Sequence, residues 1–231
     1  MMATLTLAAR DRTDLAVFAG RALRADDVAV LRIKKRPDGL LGIWVNTGFD
    51  VLATRVVAGS IEGDDVVCGA TELRSALRRE ADNPETASVD TGFPLDSAWR
   101  GALPAVDGFV HVDDVPARVL IQLSRTGAEV ARTQGSGHGP PTSLLDQQVL
   151  DVTGETTDEV VNVSMRSIFA LTAMGFVRQA DNHDVTETSD IELIDADEVV
   201  RVRCTPVWAR LDARFGSVYQ RRTMAFSLQV N

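Results

Sequence analysis

The chain is short of aromatic residues, lysines and cysteines and has no long apolar run, and each shortage narrows what it can be. Aromatic residues make up 5% of the 231 positions, with a single tyrosine, so the core has to be built from Val, Leu, Ile and Ala. No stretch approaches the roughly 18 to 20 consecutive apolar residues of a membrane-spanning helix. The N-terminal MMATLTLAARDRTD has no charged region ahead of its short apolar run, so neither a signal peptide nor a transmembrane helix is expected. Cys68 and Cys204 lie far apart, each in an apolar, strand-like stretch, which fits free buried thiols better than a disulfide or a metal-binding pair. The cytoplasm is the expected compartment. Of 24 basic residues only Lys34 and Lys35 are lysines, and the bias toward Arg, Ala, Val and Asp points to a GC-rich bacterial genome more than to a function.

Chemistry-bearing patterns are scarce as well. His111, His138 and His183 have no histidine or cysteine at ligand spacing, and their Asp and Asn neighbours are of the kind common in turns and caps. No calcium-binding loop pattern is present, and neither metal nor cofactor is expected. The one glycine-rich loop, GSGHGPPTS, follows a predicted helix and precedes a predicted strand. That is the reverse of the order that aims amides and a helix dipole at phosphate; two prolines remove amides, and no lysine follows. It reads as a flexible connection. With no nucleophile elbow either, the balance leans against an enzyme.

What is present is an α+β pattern in two similar-sized halves, 1–95 and 107–231, joined by a connection at 96–106. Mainly antiparallel sheets with helices on one face are expected. ATLTLAA alternates as a strand, and Asp11 or Thr13 can cap a helix to about residue 24, with Leu15, Phe18, Ala19, Ala22 and Leu23 on one face. Strands follow at 26–36, after the Pro37-Asp38-Gly39 turn, at 49–59 and at 64–69; Thr71 is then a predicted cap for TELRSALRRE. Residues 81–104 show little periodicity. In the second half a strand at 108–112, an Asp113/Asp114 cap and a helix to about 133 are expected, then strands at 144–152 and 159–163. Ser164 is read as capping a helix that Gly175 ends. Strands near 190–195 and 198–204, a short helix from Thr205-Pro206 to Gly216 and a strand at 217–229 complete the reading.

Charge is distributed unevenly within the net −9. Residues 181–198 hold eight acids and no lysine or arginine, whereas the 33 residues after them carry six arginines against Asp212 alone. The two stretches can be self-complementary once folded, or Asp190, Glu192, Asp195, Asp197 and Glu198 can face a partner. Arg118, Arg125 and Arg132 recur every seven residues along one side of a helix, Arg74 and Arg78 stand four apart on another, and Arg210 and Arg214 repeat that spacing. Such stripes are either solvated faces or surfaces that meet phosphate, which guanidinium suits. The negative net charge argues against a simple basic-patch nucleic-acid binder.

In element order the first ninety residues resemble a DNA sliding-clamp domain: TLTLA, a helix, VAVLRI, GLLGIWVN, DVLATRVVAG, then DDVVCGATELRSALRR. DEVVNVSMRSIFALTAMGF resembles the same strand-then-helix element. The resemblance implies an acidic protein with basic helices lining a ring. Two such halves would need three copies to close a six-part ring, and the second half does not reproduce the first cleanly. The residues themselves specify no activity. The leading expectation is a non-enzymatic protein that acts through protein contacts. The alternatives are a small-molecule binder or hydrolase with its pocket between the halves, and a clamp-like, nucleic-acid-associated homo-oligomer.

Overall fold

The structure is a computed structural model that describes residues 3–134 and 140–222. His138, most of the glycine-rich loop and the end of the predicted last strand lie outside the described residues. In chain order the elements begin with β1 (Thr4–Leu7), α1 (Ala9–Ala25), β2 (Val30–Lys35), β3 (Leu41–Asn46), β4 (Leu52–Val57), β5 (Gly59–Ile61), β6 (Asp65–Gly69), α2 (Ala70–Arg79) and β7 (Ala87–Asp90). After an irregular stretch come β8 (Val110–Pro116), α3 (Ala117–Gln134), α4 (Thr142–Leu145), β9 (Gln148–Gly154), β10 (Thr157–Ser164) and α5 (Met165–Ala173). The chain then runs through β11 (Val199–Cys204), β12 (Trp208–Ala213) and β13 (Gly216–Arg221).

The fold is α+β, and every strand pairing among the described residues is antiparallel. One eight-stranded sheet, ordered β6-β2-β3-β4-β13-β12-β11-β8, crosses from the N-terminal elements to the C-terminal ones. It reads alike from either end. Each outermost strand leads directly into a helix (β6 into α2, β8 into α3), and the other three strands form a meander after that helix's partner. The join at its centre is short: Leu52 faces Tyr219, Ala53 faces Val218 and Thr54 faces Ser217. Two smaller sheets, β5-β1-β7 and β10-β9, complete the two halves.

Strand alternation divides the large sheet into two faces. Leu31, Ile33, Ile43, Val45, Leu211 and Val218 turn toward the helices and belong to one continuous core with Leu15, Phe18, Leu73, Leu77, Ile121 and Ile168. The opposite face carries Trp44, Leu52 and Tyr219, against which Trp99, Leu103, Phe109 and Trp208 pack. The stretch after β7 is therefore a strap over the sheet. Arg32 meets it there: fixed by two bonds of 2.7 Å to Asp65 on the neighbouring β6, its guanidinium lies 5.6 Å from the Trp99 ring centre.

Several expectations fail for identifiable reasons. Residues 205–216 form a hairpin, not a helix: Trp208, Leu211 and Phe215 have helical spacing, but β12 lies between β11 and β13 and that pairing overrides it. Asp113 and Asp114 do not cap α3, because β8 continues through them beside β11, and Ala117 donates to the Glu198 carbonyl at 2.8 Å. Thr71 lies inside α2 and is not its cap, whereas Ser164 does occupy the cap position of α5 as expected but makes no capping bond with its side chain. Gly69 occupies the cap position of α2, and the Ser164 hydroxyl donates to Gln220 Oε1 at 2.8 Å instead. Residues 144–145 are helical, and 191–193 make a 3-10 turn rather than a strand. Within 81–104, Ala87–Asp90 is a strand paired with β1. Gly175 ends the α5 segment at φ 59° as expected, and Gly39 turns at φ 82°.

Candidate nucleic-acid interface

The helices pack in pairs, α1 with α2 and α3 with α5, and the arginines distribute differently over the two pairs. Between α1 and α2 runs a groove of about 400 Å³ lined by Thr13, Gly20, Arg21, Arg24, Arg74, Leu77, Arg78 and Asp184, among others. Its depth depends on Gly20. A Cβ there would stand 3.0 Å from Arg74 Nε and 3.1 Å from its Cζ, so the bare backbone lets the Arg74 guanidinium lie against α1.

The four arginines of this groove are not equivalent. Arg21 is 5% exposed and serves the fold: Nη1 donates to the carbonyls of Met174 at 2.8 Å and Gly175 at 3.1 Å, and Nη2 binds Asp184. Arg24, Arg74 and Arg78 form no ion pair among the described residues, and Arg74 Nε is buried without a hydrogen-bond partner. Three guanidinium groups thus share a groove whose single carboxylate is committed to Arg21. Such a groove attracts anions, and the planar fork of arginine fits phosphate oxygens.

The second pair behaves otherwise. Arg118 donates from Nε to the Ile194 carbonyl at 3.0 Å, from Nη2 to the Glu192 carbonyl at 3.0 Å, and pairs with the Glu192 carboxylate at 2.5 Å. Arg125 Nη2 donates to the carbonyls of Thr186 at 2.9 Å and Ser189 at 2.5 Å. Arg132, the exposed third member, pairs with Glu129 on its own helix. Two of the three therefore fasten the acidic 181–198 segment to α3. Within that segment the Asp190 side chain accepts from the Glu192 amide and Asp195 from the Asp197 amide, both at 3.0 Å. The Glu198 backbone receives α3.

Arg210 and Arg214 are on no helix. Arg210 stands on β12 on the face away from the helices, 2.5 Å from Asp212 and over the rings of Phe109 and Tyr219; Arg214 lies in the β12–β13 turn, over Phe215. Of the arginines singled out by spacing, the groove holds Arg74 and Arg78. It adds Arg21 and Arg24, which flank the apolar face of α1 and whose i, i+3 spacing is the signal that could have found them.

The remaining candidates are unlike a reactive centre. Burial pushes the Cys68 thiol up to about 12, with the charge of Glu72 adding to it, and burial also raises Cys204; both are free. Exposed His111 contacts Asp114 at 2.9 Å, and exposed His183 contacts Asp181 at 2.8 Å. Backbone and side-chain bonds from His183 hold Asp181 below the usual carboxylate range.

Residues 104–225 match the family model described as Domain of unknown function (DUF8185), which is more than half of the 231 positions, and residues 1–101 match Domain of unknown function (DUF8010). The chain belongs to the DUF8185 family. This DUF8185 member is similar in structure to the DNA polymerase sliding clamp of Bacillus subtilis (TM-score 0.55, 14% identity, 97% of this chain and 66% of that one). It is similar to a putative DNA polymerase III beta subunit of Eubacterium rectale (0.55, 10%, 98% and 66%) and to the sliding clamp of Bartonella birtlesii (0.53, 12%, 98% and 67%). The chain thus spans about two thirds of the length of these clamps, and at these identities the likeness establishes a clamp-like fold. A methionyl-tRNA formyltransferase of Thermobifida fusca is 28% identical in an alignment of 131 residues that covers 48% of this chain and 42% of that protein. No helix among the described residues is long and apolar enough to cross a membrane.

Proposed function

We propose that this chain is a clamp-like, nucleic-acid-associated protein that holds a phosphodiester backbone along the α1–α2 groove. One observation carries the reading: Arg24, Arg74 and Arg78 converge on a groove whose only carboxylate is already paired, in a protein of net charge −9. Local cationic surface on an acidic body favours contact at one place and repels the polyanion elsewhere. Assembly belongs to the same reading. Among the described residues β7 and β9 each pair on one side only, and three copies joined along those edges would make a six-part ring.

Fluorescence anisotropy with double-stranded DNA at several salt concentrations tests the groove. Three phosphate contacts give a slope of log affinity on log salt of about −3. The variant Arg74→Glu/Arg78→Glu should lose binding at every salt concentration while remaining folded. Unchanged affinity in that variant removes the interface. Mass photometry tests the ring, and a strict monomer at all concentrations, with and without DNA, removes it.

A further inference from the structure

A second concavity lies between α3 and α5, on elements that the nucleic-acid reading does not use. It is a half-open cleft of about 470 Å³, within the size range of small-molecule sites. Its walls are mostly apolar: Phe49 from the β3–β4 turn, Ile121 and Ala128 on α3, Phe169 on α5, and Val185. Phe49 is held in place from two directions. Its ring meets Phe169 at 5.8 Å between centres, and its carbonyl accepts from Arg166 Nη1 at 3.0 Å, so the wall is built and not a loose side chain.

The polar groups of the cleft are few and mostly of one sign. Arg125 and Arg132 line it against Glu187 alone, and Ser124, 7% exposed, places a hydroxyl among the lining groups. Arg132 already has Glu129. Arg125 does not have a carboxylate. Its bonds among the described residues go to two backbone carbonyls, and its Nε is buried without a partner. An anion brought to this guanidinium would make a charge-assisted hydrogen bond against an apolar wall, where it is stronger than in open water.

We infer that this cleft binds a small amphiphilic carboxylate, its apolar body against Phe49 and Phe169 and its anion on Arg125. The apolar wall supplies affinity, and Arg125, the lining arginine with no carboxylate among the described residues, selects the acid over the uncharged analogue. This is separate from the α1–α2 groove, so each reading can fail without the other.

Isothermal titration with sodium octanoate and with 1-octanol as the uncharged comparator tests it. The expected result is one saturable octanoate site and at least tenfold weaker binding of octanol. Ala173→Phe and Ala131→Phe place a ring in the cleft from positions outside the buried core, and each should reduce octanoate affinity at least tenfold with an unchanged melting temperature. In Arg125→Gln the preference for octanoate over octanol should disappear. Failure of octanoate to saturate, or affinity retained in both phenylalanine variants, overturns the proposal. Preference retained in Arg125→Gln overturns the role of Arg125.

Discussion

The two helix pairs carry unequal numbers of arginines, seven on α1 and α2 against four on α3 and α5, and the groove of the first pair uses its arginines differently from the stripe on α3. On α3, Arg118 and Arg125 are spent on carbonyls of the segment between residues 186 and 194, which they bind to the body of the protein. In the α1–α2 groove, Arg24, Arg74 and Arg78 make no ion pair among the described residues, and only Arg21 is consumed by the fold. A regular arginine stripe is thus a poor guide to a binding surface. Two members of the more regular stripe fasten a segment of the fold, Arg125 being also the proposed carboxylate anchor, whereas the less regular cluster has three guanidinium groups free of ion pairs among the described residues.

The largest expected effect comes from the most committed arginine. Arg12 is 1% exposed and donates to the carbonyls of Leu7, Glu80, Asn83 and Glu85, closing the loop after α2 onto α1. Arg12→Met removes all four donations, leaving the Glu80 carbonyl only its bond from the Asn83 amide, and should cost about 3–5 kcal/mol in urea unfolding. Arg118→Met should cost less, about 1–3 kcal/mol, since its side chain is partly exposed. Its signature is faster amide exchange confined to 186–194. If exchange there stays unchanged, the division into spent and spare arginines fails on α3.

Gly20→Ala separates the two uses in one experiment. Alanine improves helix propensity by up to about 1 kcal/mol, yet its Cβ would press on Arg74 Nε at 3.0 Å and shift the guanidinium. The expected outcome is stability held or raised and DNA affinity lowered. The smallest effect is a pH dependence at the strap. Burial works to raise Asp65, but its bond to Arg32 and the charges of Arg32 and Lys34 outweigh it and hold the carboxyl below its ordinary value. A carboxylate depressed in the folded state contributes stability above its unfolded pKa, about 3.9, and loses it as pH falls through the lower folded value. Tryptophan fluorescence followed below about pH 4 should therefore show the strap loosening, and Asp65→Asn should remove that step.

Much of the first half was legible because its signals are local. Pro37-Asp38-Gly39 fixes a turn, and the apolar face of α1 is built by Leu15, Phe18, Ala19 and Ala22 as the spacing requires. The second half hides more. β12 reads as a helix because Trp208 and Leu211 stand three apart, and only its neighbours β11 and β13 make it a strand. β7 is four residues long and exists because β1 needs a partner. For the arginines the missing information is nonlocal. Arg118 finds its carbonyl 76 residues away and Arg125 finds its own 61 and 64 residues away, which no spacing rule records.

The short join at the centre of the large sheet has a consequence for how the chain is made. β4 is complete once residue 57 has been synthesised, but the strand that covers its edge, β13, is not translated until residues 216–221. Throughout that interval the nascent N-terminal half leaves the outward-facing amides and carbonyls of the 52–54 edge unpaired, while the others bond to β3, and such an edge recruits another strand. Nascent chains on one polysome carry the same open edge close together. Late arrival of β13 therefore makes translation speed between residues 57 and 216 a determinant of yield, and a chain stopped before Gly216 should aggregate rather than persist as a folded half.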